Sequence, residues 1–203
     1  MVARTTFPTL LHRTQHSSRR LVGRIRKQQG DLCLFAGSPV DALNQYRIAV
    51  EILRSCSDWE WVGSALESSA AAVISLREAT GDSLSAGDVY DITSKLSEAR
   101  TCYSRRSRAT YLECENMIRS GSFFQKTEKH LEMADVLSKC QELIETLDHS
   151  NFMGRIQLYS AIALVFRNAN FTRKYAFLIQ LICSLCLGAE VPAARTHQLL
   201  EQV

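Results

Sequence analysis

Few residues in this chain have the type and spacing that chemistry requires. Cys183-Ser-Leu-Cys186 has the spacing of half a zinc site or of a redox dithiol, since two thiolates one helical turn apart can face one ion or each other. A zinc site needs a second pair of ligands, and the nearest histidine, His197, stands alone beyond Pro192. The same two thiols read equally as core residues of an apolar helix. His130-Leu-Glu132 lacks the second histidine of a zinc-protease helix and reads as an exposed helix face. Asp58 and Glu60 flank Trp59, where helix capping and the helix dipole explain two acids better than acid–base catalysis does. The chain has no phosphate-cradling glycine loop with lysine and no Gly-x-Ser-x-Gly elbow. The expectation is a non-enzyme with no cofactor and no metal.

The elements that carry these residues read as helices throughout. Three prolines and nine glycines in 203 residues are few for an all-β chain, and the segments between them repeat with helical rather than alternating period. A hydrophobic fraction of 46% with 22% charged residues suits a chain that buries a core. A net charge of +3 does not point to nucleic acid, whose binders carry a strong basic patch. Seven cysteines, an odd number scattered over apolar helical faces, read as reduced thiols rather than a disulfide framework. The apolar window Tyr175–Ala189 is shorter than the roughly 20 residues of a membrane span and holds Gln180 and Ser184.

The stretch from Gly30 to Ala72 organises the rest. Gly37 can take the left-handed conformation that ends a helix, and Ser38-Pro39 restarts the chain as N-cap and first helical residue. The second helix should bury Val40, Leu43, Tyr46, Val50 and Leu53, with Ala42 and Ala49 allowing a close neighbour. Asp58 caps a third helix that begins Trp59-Glu60-Trp61. Gly30, Ala42, Tyr46 and Ala49 approximate the small-and-aromatic skeleton of a tetratricopeptide repeat, although two of its usual aromatic and leucine positions are unmatched. Tyr46, Trp59 and Trp61 are the expected aromatic anchors.

A loop by composition covers 80–87, dividing residues 19–203 into blocks 19–79 and 88–203. A helix over Asp88–Tyr103 ends in the basic turn Ser104-Arg105-Arg106-Ser107-Arg108. Its three arginines read either as a solvated helix end or as a contact for an acidic partner. A short helix over Ala109–Arg119 should break at Ser120-Gly121-Ser122, and a longer one should cover Phe123–Leu147. Asn151 caps a helix over Phe152–Phe166, another covers Thr172–Leu187, and Pro192 starts a last short one. Residues 1–29 hold seven basic residues and no acid, which fits a mitochondrial transit peptide. The alternative is an unstructured lead-in over 1–18, followed by a first helix with Arg19–Lys27 outside and Leu21, Val22 and Ile25 inside.

Two blocks carry a resemblance to a known family. Arg24–Arg54 (RIRKQQGDLCLFAGSPVDALNQYRIAVEILR), continued by Asp58–Glu67 (DWEWVGSALE), resembles the tetratricopeptide-like region of the large TRAPP II tethering subunits. Arg155–Arg167 (RIQLYSAIALVFR) with Phe171–Phe177 (FTRKYAF) resembles the helices downstream of it. The resemblance implies an all-α fold of antiparallel helical hairpins stacked as a solenoid segment, in a chain that is a piece of a much longer protein. It implies a non-catalytic scaffold whose partners are other TRAPP subunits and, through the complex, a Rab GTPase at cytoplasmic Golgi membranes. It implies no catalytic residue, and a role of the animal branch in NF-κB signalling has no independent support in these residues. Competing readings are an imported mitochondrial helical protein using Cys183 and Cys186, and a peptide-binding adaptor.

Overall fold

The computed structural model describes residues 7–148 and 151–188, with side-chain surroundings given from Ser17 onward. Those residues contain helices α1 (Phe7–Phe35), α2 (Pro39–Ser55), α3 (Trp59–Thr80), α4 (Ala86–Ser104), α5 (Thr110–Lys126), α6 (His130–Glu145), α7 (Phe152–Asn168) and α8 (Thr172–Gly188), with a 3-10 turn at Ser107–Ala109. No strand occurs among them. Among the described residues the fold is all-α.

One joint recurs between consecutive helices. At α1–α2, α2–α3, α5–α6 and α7–α8 the chain leaves a helix through one residue of left-handed φ: Gly37 (77°), Ser57 (53°), Glu128 (59°) and Asn170 (61°). The next backbone N–H then reaches back to a carbonyl of the helix just ended: Ser38 to Cys33, Asp58 to Leu53, Lys129 to Phe124 and Phe171 to Phe166, at 2.8–3.1 Å. This bond satisfies a carbonyl that the helix end would otherwise leave open. Pro39, which needs no N–H partner, begins α2 directly after one such joint.

The chain forms two compact units, 1–107 and 108–203. In the first, α1 packs on α2, α2 on α3 and α3 on α4. Ala42, Tyr46, Ala49 and Leu53 of α2 are fully buried, as are Val62 and Ala65 of α3 and Ile92 and Ala99 of α4. In the second, α5 packs on α6 and α7, and α8 on α7, around Met133, Leu137, Cys140, Ile144, Ile156, Phe166 and Leu178.

The structure departs from the sequence reading in six places, one being that the single helix expected over Phe123–Leu147 is divided between α5 and α6 at Thr127-Glu128-Lys129. Helix α1 begins at Phe7, so residues 7–18 are helical rather than an unstructured lead-in: Pro8 falls in the first turn, where its missing N–H is tolerated. Residues 1–6, Pro192 and His197 lie outside the described residues. Leu21, Val22 and Ile25 are exposed rather than inward, because α1 presents Gly23 and Gly30 to α2 instead. Val40 is 62% exposed, since the first turn of α2 buries Pro39 and Ala42. The block boundary expected at 80–87 falls at Ser107, because α4 packs on α3. Helix α5 passes unbroken through Ser120-Gly121-Ser122: Gly121 is a packing position, where an added Cβ would lie 2.7 Å from Leu137.

Candidate interaction surface

The first unit is tied together by two polar links between α1 and the helices after it. Gly30 lets α1 approach the Tyr46 ring so closely that a Cβ there would lie 2.5 Å from Cε1. The buried ring keeps its hydroxyl satisfied by donating to Asp31 Oδ1 at 2.9 Å, and Lys27 Nζ donates to the other oxygen of that carboxylate at 2.7 Å. Burial, then the bond to Asp31, pushes the Tyr46 hydroxyl well above its ordinary pKa. The tyrosine stays neutral and acts as a packing post with a polar tip.

The second link is centred on Asp58. It stands in the N-cap position of α3, yet its side chain makes no capping bond. Its carboxylate accepts instead from Arg24 Nε at 2.8 Å and lies 3.8 Å from Arg20 Nε. The Arg24 guanidinium also covers the Trp61 ring at 5.0 Å. Trp59 is covered by Arg105, 4.0 Å from the ring centroid. Ala42 and Ala49 lie fully buried on α2. Trp59 and Trp61 are half-buried, so each indole has an apolar body in the unit and a cation over its face.

The three arginines of the basic turn do not form one cluster within a unit. Arg105 and Arg106 close the first unit and Arg108 begins the second; all three are exposed. Arg54 at the end of α2 pairs with Glu98 of α4, and Tyr103 donates to Glu67 at 3.0 Å, so α4 is held to α2 and α3 by polar contacts as well as apolar ones.

Most of the thiols lie in the core. Cys56, Cys102, Cys114, Cys140 and Cys186 are buried, and Cys33 and Cys183 half-buried. Cys140 donates to the Cys114 carbonyl at 3.5 Å, and the neighbouring Cys114, with burial, pushes its thiol far up. Burial does the same for Cys102, which leaves these sulfurs as weak nucleophiles at neutral pH. Among the described residues no group of three or more His, Cys, Asp and Glu stands where it could hold a metal ion, and no helix is long and apolar enough to cross a membrane. His130, Leu131 and Glu132 are exposed at the start of α6.

Residues 3–80, which include α1, α2 and α3, match the family model described as the Trs120/TRAPPC9 N-terminal domain. Over these residues the chain is similar to the Trs120/TRAPPC9 family. Most of it aligns with relatives: it is 24% identical, over 88% of its length, to Trafficking protein particle complex subunit 9 of Bos taurus. Against the Trafficking protein particle complex II-specific subunit 120 homolog of Arabidopsis thaliana it is 28% identical over 84%. A 54-residue stretch, 27% of the chain, is 52% identical to Trafficking protein particle complex subunit 9 of Xenopus laevis. The chain spans 19% of the Bos taurus protein and 15% of the Arabidopsis thaliana one.

The sequence names Gly30, Tyr46 and Trp61 as anchors, but gives no sign of Asp58 as the meeting point of two arginines. It also gives none of the outward apolar side of α1. One signal was present: Gly23 and Gly30 stand seven residues apart, two turns along one side of a helix, which marks a packing side independently of the hydrophobic residues.

Proposed function

We propose that this chain is a non-catalytic scaffold segment of a TRAPP II-type tethering complex, contributing surface rather than chemistry to Golgi vesicle traffic. The observation that carries the reading is the similarity over 84–88% of the chain to proteins described as trafficking protein particle complex subunits. The two polar links of α1 agree with it, since they hold helices together. The partners on this reading are other TRAPP subunits, with a Rab GTPase engaged through the complex whose nucleotide exchange the scaffold supports. The place is the cytoplasmic face of Golgi membranes. Arg105, Arg106 and Arg108 supply a basic contact for an acidic subunit surface. The matched region starts at residue 3 and takes in the basic Arg19–Lys27 segment, which favours a helix of the domain over an import signal.

The test is capture from a eukaryotic lysate with the full tagged chain, followed by mass spectrometry. TRAPP subunits should be recovered, and should weaken when Arg105, Arg106 and Arg108 are all changed to Glu. A soluble, helical chain that recovers no TRAPP subunit overturns the reading.

A further inference from the structure

Charge is distributed unevenly in the second unit. Residues 151–188, which hold α7 and α8, include Arg155, Arg167, Arg173 and Lys174 and no Asp or Glu. The α5–α6 joint adds Lys126 and Lys129. The ring of His130 lies 5.9 Å from that of Phe171, which sets the α5–α6 joint beside the α7–α8 joint. Lys126, Lys129, Arg167, Arg173 and Lys174 therefore gather at one end of the unit, and all but Lys129 are exposed. The acids of these two joints are Glu128 and Glu132. Elsewhere in the unit cations are neutralised, as Arg119 is by Glu115 and Lys139 by Asp135. Among the described residues none of the five gathered cations is paired with a carboxylate; Lys174 lies instead over the Phe166 ring, at 5.0 Å. Helix formation does not account for them either. Arg173 and Lys174 stand in the first turn of α8, which holds no acid, although the helix dipole favours Asp and Glu there. Like charges gathered without partners repel one another, and an anionic surface relieves that repulsion.

We infer that this end of the second unit is a docking surface for an anionic membrane, with its cations on the lipid headgroups and Leu131 and Phe177 at the edge of the acyl layer. Leu131, in the first turn of α6, is 85% exposed. Phe177 is 61% exposed and lies one turn beyond Arg173 on the same side of α8. Basic side chains beside protruding large apolar ones are what hold a protein at a lipid interface. Residue type decides between a membrane and an acidic protein. Three of the five cations are lysines, which protein interfaces disfavour, whereas arginine is enriched in them. Lysine is a point charge on a flexible stem, which a fluid array of headgroups can meet without fixed geometry, while a folded acidic partner is better met by the planar fork of arginine. These residues are distinct from the Arg105–Arg108 turn, and the inference does not rest on the tethering reading: vesicle binding tests the one, recovery of TRAPP subunits the other.

The probe is vesicles of phosphatidylcholine, with or without about 30% phosphatidylserine, sedimented with the full chain. The anionic vesicles should bind at least about tenfold more tightly than the neutral ones, and the difference should shrink as salt rises from about 0.1 M to about 1 M. Lys126→Glu combined with Arg173→Glu should weaken binding at least about tenfold with unchanged circular dichroism and melting. Arg47→Glu combined with Lys139→Glu makes the same change in net charge at exposed positions outside this end, and should leave binding within about twofold. Leu131→Ser combined with Phe177→Ser should weaken it at least about threefold. Absence of binding, equal binding of the two vesicle types, equal losses in the two charge-reversed pairs, or indifference to the loss of both apolar side chains overturns the inference. Binding of polyglutamate that Arg173→Glu abolishes, without binding of anionic vesicles, overturns it in favour of an acidic protein.

Discussion

The ring of Tyr46 occupies the space that a side chain on Gly30 would fill: a Cβ there would lie 2.5 Å from Cε1 and 2.7 Å from Cδ1. The ring is fully buried and tethered through its hydroxyl to Asp31, so it cannot swing aside. Gly30→Ala should therefore destabilise the chain by up to about 2 kcal/mol, an overpacking cost of about 1–3 kcal/mol less the gain of about 1 kcal/mol from alanine's helix propensity. Gly87→Ala is the contrast, since its added Cβ would meet only Ser85 Oγ at 3.7 Å. Urea unfolding of both variants should move the midpoint in opposite directions; a stabilised Gly30→Ala would show that α1 does not approach α2 at this point.

Asp58 serves two cations from a nearly buried position, with 10% of its side chain accessible. Asp58→Asn should cost about 1–2 kcal/mol, below the value for a fully buried pair because Arg24 is 37% accessible and partly screened. A double-mutant cycle with Arg24→Gln should give a coupling of at least about 0.5 kcal/mol. Additive losses would mean that the two groups do not interact.

Asp88 supplies a pH dependence. It completes the capping box of α4 with Ser85 and accepts from Arg77 Nη2 at 3.0 Å. Arg77 first, and then Ser85, hold its carboxyl well below the usual range, at about 2. In the unfolded chain the same group titrates near about 4. Its contribution is thus fully present above about pH 4 and is lost as the pH falls through about 2. The stability gap between the wild type and Asp88→Asn should be constant from pH 7 to 5 and close between pH 4 and 2. A gap that widens on acidification would contradict the pair.

Glu128 holds a left-handed φ of 59°, which costs an ordinary side chain about 1–2 kcal/mol and glycine almost nothing. Glu128→Gly should leave the melting temperature unchanged or raise it, although it adds a glycine. The same exchange at Glu142, within α6, should lower stability by about 1 kcal/mol. Equal losses at the two sites would place the α5–α6 joint elsewhere.

The fold was legible where one residue type forces one geometry. Gly37 and Pro39 mark the α1–α2 joint from sequence, and Asn151 accepts from the Gly154 N–H as the cap it was expected to be. The α5–α6 joint was not legible, because Thr127-Glu128-Lys129 holds no glycine, proline or asparagine, while the nearby Gly121 is a packing glycine that imitates a break. The inward side of α1 was hidden for a related reason. Hydrophobicity points to Leu21, Val22 and Ile25, but α1 meets α2 through Gly23 and Gly30 and packs Cys33 and Leu34 on the core, while Arg20 and Arg24 reach Asp58, distant in the sequence. Asp58 itself had an adequate local explanation as a cap, and a local explanation conceals a tertiary one.

The four joints at Gly37, Ser57, Glu128 and Asn170 are one backbone path written with four different residues. What is preserved from joint to joint is a hydrogen-bond pattern that any sequence able to visit left-handed φ can supply. A chain assembled from such joints can diverge widely while its helices keep their directions, because the information fixing each corner resides in the main chain. Identities of 24–28% across most of the chain are thus compatible with an architecture whose corners place few demands on side-chain identity.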